Sequence, residues 1–300
     1  MSKEKKFSTV GEALSWAVEC LSKRSIPDPV NETEYLLTHI LDFKRHELFL
    51  NSGRALSPEE SRRFEVFIER RMKREPAQYI TGEVEFMGLK LKVTPATLIP
   101  RPETELVVKE AVKAASAYMR DKKKALIIDL CTGSGCIAVA IAKEFRQALV
   151  CATDISDPAL KVAEENALRN GVRERINFLR GDLFAPFKES GLDVKADMIL
   201  SNPPYVAEAD LERLAPEVRD HEPAGALYAG VDGLDFYRRI VSRSPDYLSP
   251  GGFLVMELGW GQSERVKGLA VENGSYEDIE IKKDYSGIER IFLARRKMTA

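Results

Sequence analysis

Residues 129–136 read Asp-Leu-Cys-Thr-Gly-Ser-Gly-Cys. The first two of them end an apolar run that begins at Ala125. The glycines at 133 and 135 allow a tight turn and let a ligand come close to the backbone. Apolar residues then recur at helical spacing over 137–145. This order of strand, glycine-rich loop and helix is typical of the ligand-binding start of an α/β sheet domain.

The same alternation continues after this loop. Further apolar runs bounded by turn residues predict strands at 148–152, 176–179, 198–200, 253–257, 276–281 and 289–294. Helices are predicted between them, one capped by Asp157 and another over 236–247. Strands that alternate with helices indicate a mostly parallel sheet covered on both faces, so the predicted fold class is α/β.

The first 75 residues have a different pattern. Thr9, Asn31 and Ser57 are each followed three residues later by a glutamate, a signature of helix N-termini, and helical apolar spacing follows each. From Gln78 to Val93, glycines and alternating apolar residues predict a hairpin. We therefore expect three parts: a helical domain at 1–75, a hairpin linker at 76–97 and a sheet domain at 98–300.

The composition excludes several classes of function. The 45 Lys and Arg residues against 47 Asp and Glu leave a net charge of -2, which gives no overall attraction to nucleic acid or anionic membranes. The four cysteines form no C-x-x-C pair and the three histidines lie far apart, so no metal site is predicted. The absence of a run of ~18 apolar residues or of a secretory leader predicts a cytoplasmic protein without a membrane span.

Three aspartates follow the ends of successive predicted strands. Asp129, just before the glycines, would repel a pyrophosphate but suits a cationic ligand, which favours S-adenosylmethionine over a dinucleotide. Asp154 is placed to accept hydrogen bonds from both ribose hydroxyls. Asp182 is placed to receive the adenine amino group, with Leu183 packing on the ring. The alternative is that each aspartate caps a helix or is a solvated turn residue.

A second motif, Asn202-Pro203-Pro204-Tyr205, follows the predicted strand at 198–200. Its two prolines prevent a helix or strand from continuing and fix a rigid turn at the edge of the sheet where ligands bind. The Asn202 side-chain oxygen and the Pro203 carbonyl can then both accept hydrogen bonds from one planar nitrogen. Tyr205 offers a ring face on which a planar group can stack. By itself this tetrapeptide could be an ordinary loop.

Together these motifs are similar to class I S-adenosylmethionine-dependent methyltransferases that act on planar nitrogens. Over nearly its whole length the chain resembles the release factor glutamine methyltransferases of the PrmC/HemK family. The supporting stretches are Glu75 to Gly82, Thr97 to Glu105 and His221-Glu222-Pro223. The resemblance implies a Rossmann-like seven-stranded sheet with a small N-terminal helical bundle and a β-hairpin linker.

The resemblance also implies an activity and a site. The family methylates N5 of the glutamine in the Gly-Gly-Gln loop of class 1 peptide chain release factors, and S-adenosylhomocysteine is the product. Asn202 and Pro203 would bind and orient the amide, with Pro204 and Tyr205 beside them. The N-terminal helices would dock the release factor, and a monomer would suffice. The cofactor-binding residues would be Asp129, Cys131, Thr132, Gly133, Ser134, Gly135, Asp154, Asp182, Leu183 and Asn202; Cys131 departs from the general motif, which prefers glycine.

Two rival functions share these motifs. A nucleic-acid methyltransferase acting on adenine N6 or guanine N2 can carry the same turn, but it must also grip phosphates. The basic residues for such a role are Arg62, Arg63, Arg70, Arg71, Lys73 and Arg74. Glutamates interrupt them, and a solvated helix face is the favoured explanation. A non-catalytic, cofactor-binding assembly protein is the other rival.

Overall fold

The structure is a computed structural model that describes residues 7–118, 122, 124–189, 191 and 194–298. The chain packs as two compact units. The first contains Met1–Gly82 and Ala215–His221, and the second contains Glu83–Leu214 and Glu222–Ala300. These units differ from the predicted division at residues 75 and 97, because the helical unit runs on to Gly82 and takes in a segment from the middle of the chain.

The first unit is helical. Its helices are α1 (Val10–Ser22), α2 (Pro29–Leu41), α3 (Arg45–Leu50), α4 (Pro58–Arg71) and α5 (Ala77–Thr81), together with a short helix at Pro216–Arg219. The capping boxes predicted at Thr9 and Ser57 are confirmed. The start predicted at Asn31 is wrong: α2 begins at Pro29, which suits a first helical turn, and Asp28 is the N-cap.

The short helix at Pro216–Arg219 is held in the first unit by charge. Oε1 of Glu217 accepts hydrogen bonds from Arg71 at 3.0 Å and from Arg74 at 3.2 Å. Arg71 also donates to Glu32 at 2.7 Å, and its side chain is only 3% exposed. A guanidinium buried this deeply is stable only when it is paired, so both glutamates compensate its charge.

The second unit begins with a β-hairpin of β1 (Glu83–Phe86) and β2 (Leu89–Lys92), paired antiparallel. The turn between them contains Met87 and Gly88, both at positive φ. The hairpin is shorter than predicted, because residues 77–81 form α5 instead of a strand.

A seven-stranded sheet forms the centre of the second unit, which confirms the predicted α/β class. Its strands are β3 (Ala125–Leu130), β4 (Ala148–Asp154), β5 (Ile176–Arg180), β6 (Ala196–Ser201), β7 (Leu248–Glu257), β8 (Tyr276–Lys283) and β9 (Glu289–Arg296). Their order is β5-β4-β3-β6-β7-β9-β8. The strands β5, β4, β3, β6 and β7 are parallel to one another, and β9 is antiparallel to both β7 and β8.

Helices connect the strands. They are α6 (Glu105–Tyr118), α7 (Cys136–Glu144), α8 (Asp157–Arg169), α9 (Ala185–Glu189), α10 (Pro216–Arg219, described above), α11 (Asp235–Tyr247) and α12 (Ser263–Asn273). The predicted cap of α8 is off by one residue, because the hydroxyl of Ser156 accepts the Ala159 N–H while Asp157 is the first helical residue. In the described part of the chain, no helix is long and apolar enough to cross a membrane.

The alternating side chains of the strands enter two apolar cores. Ile127, Met198 and Leu200 belong to one core, while Ile128 and Ile199 belong to the other. The sheet is therefore buried on both faces, as a parallel sheet must be. Strand order reverses between β3 and β6, and in such sheets the ligand crevice lies at this point, outside the carboxyl ends of the strands.

Candidate active site

A cavity of about 410 Å³ lies at this carboxyl edge. Most of the predicted site residues line it. Those that do are Cys131, Thr132, Gly133 and Ser134 after β3, Asp154 at the end of β4, Asp182 and Leu183 after β5, and Asn202 and Pro204 after β6. Asp129, Gly135, Pro203 and Tyr205 are not in the cavity wall.

Asp129 supports the glycine loop from within the protein. Its side chain is fully buried, and one carboxylate oxygen accepts hydrogen bonds from the Thr132 hydroxyl at 2.5 Å and the Ala138 N–H at 3.2 Å. Burial raises the pKa of Asp129 to about 7. Through this oxygen the carboxylate joins the loop to the first turn of α7. Its other oxygen, Oδ1, has no partner among the described residues, and the contact of Asp129 with a cationic ligand remains a prediction.

Gly135 allows two helices to pack closely. It caps α7 at φ 79°, and a Cβ atom at this position would lie 2.9 Å from Cβ of Ala163 on α8. Gly135 is therefore required by helix packing and by its left-handed backbone, and its contact with a cofactor remains a prediction.

Asp154 is held by backbone groups. Its two carboxylate oxygens accept hydrogen bonds from the N–H groups of Gly133 and Ser156, each at 2.9 Å. Burial raises the pKa of Asp154, and the backbone hydrogen bonds oppose that rise. Since a carboxylate oxygen can accept two hydrogen bonds, each oxygen keeps capacity for a ligand hydroxyl.

Two residues of the cavity wall have left-handed backbones without being glycine. Cys131 has φ 58° and Leu183 has φ 51°. This conformation is unfavourable for residues with a side chain, and such strain concentrates at functional sites. Burial raises the pKa of the Cys131 thiol, so this side chain is neutral at physiological pH.

Asp182 forms an ion pair with another residue of the cavity wall. Its Oδ2 accepts a hydrogen bond from Arg239 at 2.5 Å, and both side chains are about half exposed. The role of Asp182 toward an adenine amino group remains a prediction.

The Asn-Pro-Pro-Tyr turn is anchored at both ends. The hydroxyl of Ser201 donates to the Leu130 carbonyl at 2.8 Å, and Nε2 of Gln262 donates to the Tyr205 carbonyl at 2.9 Å. The Tyr205 hydroxyl donates to Glu257 at 3.4 Å. The Tyr205 ring packs beside an apolar core and is not among the residues of the cavity wall, so its role as a stacking face remains a prediction.

The side chain of Asn202 has one amide atom engaged and one unpaired. Its Nδ2 donates a hydrogen bond to the Thr104 hydroxyl at 3.1 Å. Its Oδ1 is buried, and no residue in the described part of the chain donates to it. Buried polar atoms without partners are rare in folded proteins and need an explanation, such as a role in catalysis.

Sequence reasoning missed three polar residues that hold these loops. Glu257, at the end of β7, accepts a hydrogen bond from the Thr104 hydroxyl at 2.6 Å, and burial raises the pKa of Glu257 to about 7. Glu222 accepts hydrogen bonds from the Ile99 N–H at 3.1 Å and from Arg101. A carboxylate that ends an apolar strand, as Glu257 does, is a signal that the sequence offered.

The third residue is Asn166 on α8. Its amide nitrogen donates to the carbonyls of Ser134 and Lys92, each at 2.9 Å, and so joins the glycine loop to the hairpin. An asparagine inside a helix carries no local signal for such a role.

Comparison with known proteins identifies the family. A family model described as PrmC N-terminal domain matches residues 12–82, and one described as Methyltransferase small domain matches residues 109–218. The release factor glutamine methyltransferase of Geobacter sulfurreducens is 42% identical over 291 residues, which cover 97% of this chain and 98% of the relative. The chain belongs to the release factor glutamine methyltransferase family. Further family members are those of Moorella thermoacetica, 40% identical over 96% of this chain and 99% of the relative, and Fusobacterium nucleatum, 35% identical over 95% and 78%.

Solved structures share the fold of this family member. The hMettl16 catalytic domain, in complex with a MAT2A 3'UTR hairpin, has a TM-score of 0.55 and 16% identity, and the match covers 82% of this chain and 85% of that one. Human methyltransferase 10 domain containing protein has a TM-score of 0.50 and 19% identity over 70% and 90%. These likenesses confirm the predicted Rossmann-like methyltransferase fold.

Proposed function

We propose that this protein transfers a methyl group from S-adenosylmethionine to N5 of the glutamine in the Gly-Gly-Gln motif of class 1 peptide chain release factors. The observation that carries the proposal is the unpaired Oδ1 of Asn202, in a rigid turn beside a glycine loop. The named activity of the relatives supports the choice of substrate.

The residues at the carboxyl edge fit S-adenosylmethionine. The cavity volume of about 410 Å³ lies within the range of roughly 300–1,000 Å³ that is usual for small-molecule sites. Asp154 would accept hydrogen bonds from the ribose hydroxyls, and Cys131 to Ser134, Asp182, Leu183 and Asn202 would line the rest. When bound, S-adenosylmethionine supplies an electrophilic methyl group.

Asn202 would make the substrate amide a better nucleophile by accepting a hydrogen bond from its N–H group. An amide nitrogen is a poor nucleophile because its lone pair is delocalised into the carbonyl group. An acceptor aimed at each N–H concentrates the lone pair on nitrogen, and the Pro203 carbonyl would serve as the second acceptor. Water does not reach Oδ1 of Asn202 in the structure, so the arriving amide must displace a neighbouring group slightly before it can donate.

Positioning contributes most of the rate enhancement. Holding two reacting groups in line can lower the barrier by up to ~7–11 kcal/mol. A single aimed hydrogen-bonding group contributes less, by analogy with the ~2.7–4 kcal/mol lost with one oxyanion-hole donor. No side chain is needed to remove a proton before attack, which agrees with a proposed site built without a histidine.

The helical unit would dock the release factor. The family model of the PrmC N-terminal domain covers most of this unit's N-terminal part. Two large apolar side chains on α3, Phe49 at 61% and Leu50 at 80%, are exposed there and would suit a protein partner. The proposal places the enzyme in the cytoplasm, where translation terminates, and needs only one copy of the chain.

The arginines of α4 give little support to a nucleic-acid substrate. Arg70 is paired with Glu75, and Arg71 with Glu32 and Glu217. Arginines neutralised by their own chain contribute little to phosphate binding, which depends on unpaired cations.

Mass spectrometry of a class 1 release factor tests the proposal. We expect incubation with this protein and S-adenosylmethionine to add one methyl group to the glutamine of the Gly-Gly-Gln loop. Parallel reactions would offer a tRNA pool and a duplex DNA as acceptors. Methylation of either nucleic acid, with the release factor unmodified, would overturn the proposal.

A further inference from the structure

Asn202, Thr104 and Glu257 form a continuous line of side-chain hydrogen bonds. Nδ2 of Asn202 donates to Oγ1 of Thr104 at 3.1 Å, and Oγ1 of Thr104 donates to Oε2 of Glu257 at 2.6 Å. Thr104 and Glu257 are each only 1% exposed, so water does not compete for these bonds. We refer to these three residues as the relay.

The relay has a fixed direction as long as Glu257 is ionised. A threonine hydroxyl has one proton to donate, and an ionised glutamate can only accept. The Thr104 hydroxyl therefore donates its hydrogen bond to Glu257 and can only accept one from Asn202. Of the two atoms at the end of the Asn202 amide, only Nδ2 can donate, so Nδ2 must face Thr104 and Oδ1 must face away from it.

We propose that Thr104 and Glu257 are positioning residues that fix the orientation of the Asn202 amide, and thereby select a glutamine amide over a glutamate carboxylate as the substrate group. The inference rests on the proposed function. Oδ1 then faces the substrate. An amide N–H of glutamine can donate to Oδ1, whereas a carboxylate oxygen of glutamate has no hydrogen to donate and is repelled by Oδ1. The orientation of an asparagine amide is set by its hydrogen-bond network. Without the Thr104 hydroxyl, the Asn202 amide can therefore adopt either orientation.

The experiment compares Thr104→Val with two controls in the full-length protein. Valine has the shape of threonine without its hydroxyl, so Thr104→Val removes the relay and little volume. Thr104→Ser keeps the hydroxyl and serves as the conservative rescue. Thr33→Val makes the same change at a buried threonine of the helical unit whose hydroxyl has no partner among the described residues.

Three quantities are measured for each variant. The first is the single-turnover rate of release-factor methylation. The second is the ratio of dissociation constants for release factors with glutamate and with glutamine in the Gly-Gly-Gln motif, measured with S-adenosylhomocysteine present. The third is the affinity for S-adenosylhomocysteine alone, which reports whether the cavity is intact.

For wild type we expect the glutamine form of the release factor to bind more strongly than the glutamate form by about tenfold or more. This is the scale of the difference between a hydrogen bond that forms and two acceptors that face each other. Thr104→Val should lower the methylation rate by about tenfold and bring the ratio close to one, with S-adenosylhomocysteine affinity unchanged. Thr104→Ser and Thr33→Val should match wild type. The inference is overturned if Thr104→Val keeps both rate and ratio, or if Thr104→Ser loses as much as Thr104→Val.

A separate readout keeps the inference independent of the substrate. The Nδ2 protons of Asn202 can be assigned by NMR from the signals lost in Asn202→Ala. Hydrogen bonding to Thr104 predicts that their shifts and exchange rates change in Thr104→Val and not in Thr104→Ser. If wild type does not methylate the release factor, the proposed function fails, and unchanged Asn202 signals in Thr104→Val would separately overturn the relay.

Discussion

Asp154, at the end of β4, and Asn202, after β6, are held by different kinds of hydrogen bond. Asp154, beside the glycine loop, is fixed by two backbone N–H groups. Asn202, after β6, is fixed by the side chains of Thr104 and, through it, Glu257. Backbone donors stay in place whatever side chains surround them, whereas a side-chain relay is lost with one substitution. Substitution of the side chains around Asp154 should therefore leave its carboxylate in place, whereas substitution of Thr104 should release the Asn202 amide.

The largest expected effect is that of Asn202→Ala. The variant should fold and bind S-adenosylmethionine, more weakly at most, and lose about 100-fold or more in methylation rate, on the scale of an aimed hydrogen-bonding group. The measurement is a single-turnover assay with cofactor affinity determined alongside. Ser201→Ala, which removes a buried hydroxyl from the adjacent position, is the matched control and should lose far less. Near wild-type turnover by Asn202→Ala would remove the basis of the proposed mechanism.

Asp154→Ala tests the cofactor side of the cavity, where backbone N–H groups hold the carboxylate. It removes the acceptor for two N–H groups and for the ribose hydroxyls, and should weaken cofactor binding by about 10- to 100-fold, as for lost hydrogen bonds to a charged group. The rate at saturating S-adenosylmethionine should change much less. Calorimetric titration with S-adenosylhomocysteine measures the affinity. An unchanged affinity would show that Asp154 only shapes the loop.

The pH dependence tests the relay from its carboxylate end. Burial raises the pKa of Glu257 to about 7. Protonated Glu257 can itself donate to Thr104, and the orientation of the Asn202 amide is then no longer fixed. We therefore expect the methylation rate to fall several-fold as the pH drops below about 7. The other groups that act on Glu257 include Arg290, Glu103, Tyr205, Tyr237 and Cys136.

Stability should change in the opposite sense. Because the folded-state pKa of Glu257 lies above its unfolded value, its protonation stabilises the folded state, and that contribution is lost as the pH rises toward about 7. Between pH 5 and 7, on this basis, rate should rise while the free energy of unfolding falls. Glu257→Gln cannot titrate, so it should flatten the acid limb of the rate profile. An identical limb in that variant would assign the titration to another group, such as Asp129.

The smallest expected effect is that of Cys131→Gly. Glycine relieves the left-handed strain of about 1–2 kcal/mol, but it also loses more entropy on folding, roughly 0.5–1 kcal/mol. The free energy of unfolding should therefore rise by about 1 kcal/mol or less, and cofactor affinity should stay within about threefold. Urea denaturation and calorimetric titration check both. A loss of affinity beyond tenfold would mean that the thiol itself contacts the cofactor.

Local patterns account for what the sequence predicted well. The strands β3 to β9 follow from apolar runs, and the turn at 202–205 from its prolines, because both signals lie within a few residues. Thr104 and Glu257 are 153 positions apart, so their contact depends on sheet packing that no local pattern encodes. Asp129 lies near the end of β3, as predicted. The sequence did not predict that its carboxylate would be buried beneath the loop, where it accepts hydrogen bonds from the Thr132 hydroxyl and the Ala138 N–H.

The first unit is discontinuous in sequence, because the segment at 215–221 comes from the middle of the chain. A fragment that ends at Gly82 would therefore lack Glu217 and leave the buried Arg71 with only one of its two carboxylates. The unit cannot be excised, or exchanged between homologues, by a single cut in the gene. A recombined chain would have to inherit the helices and the segment at 215–221 together, so these two stretches are expected to evolve as a linked pair.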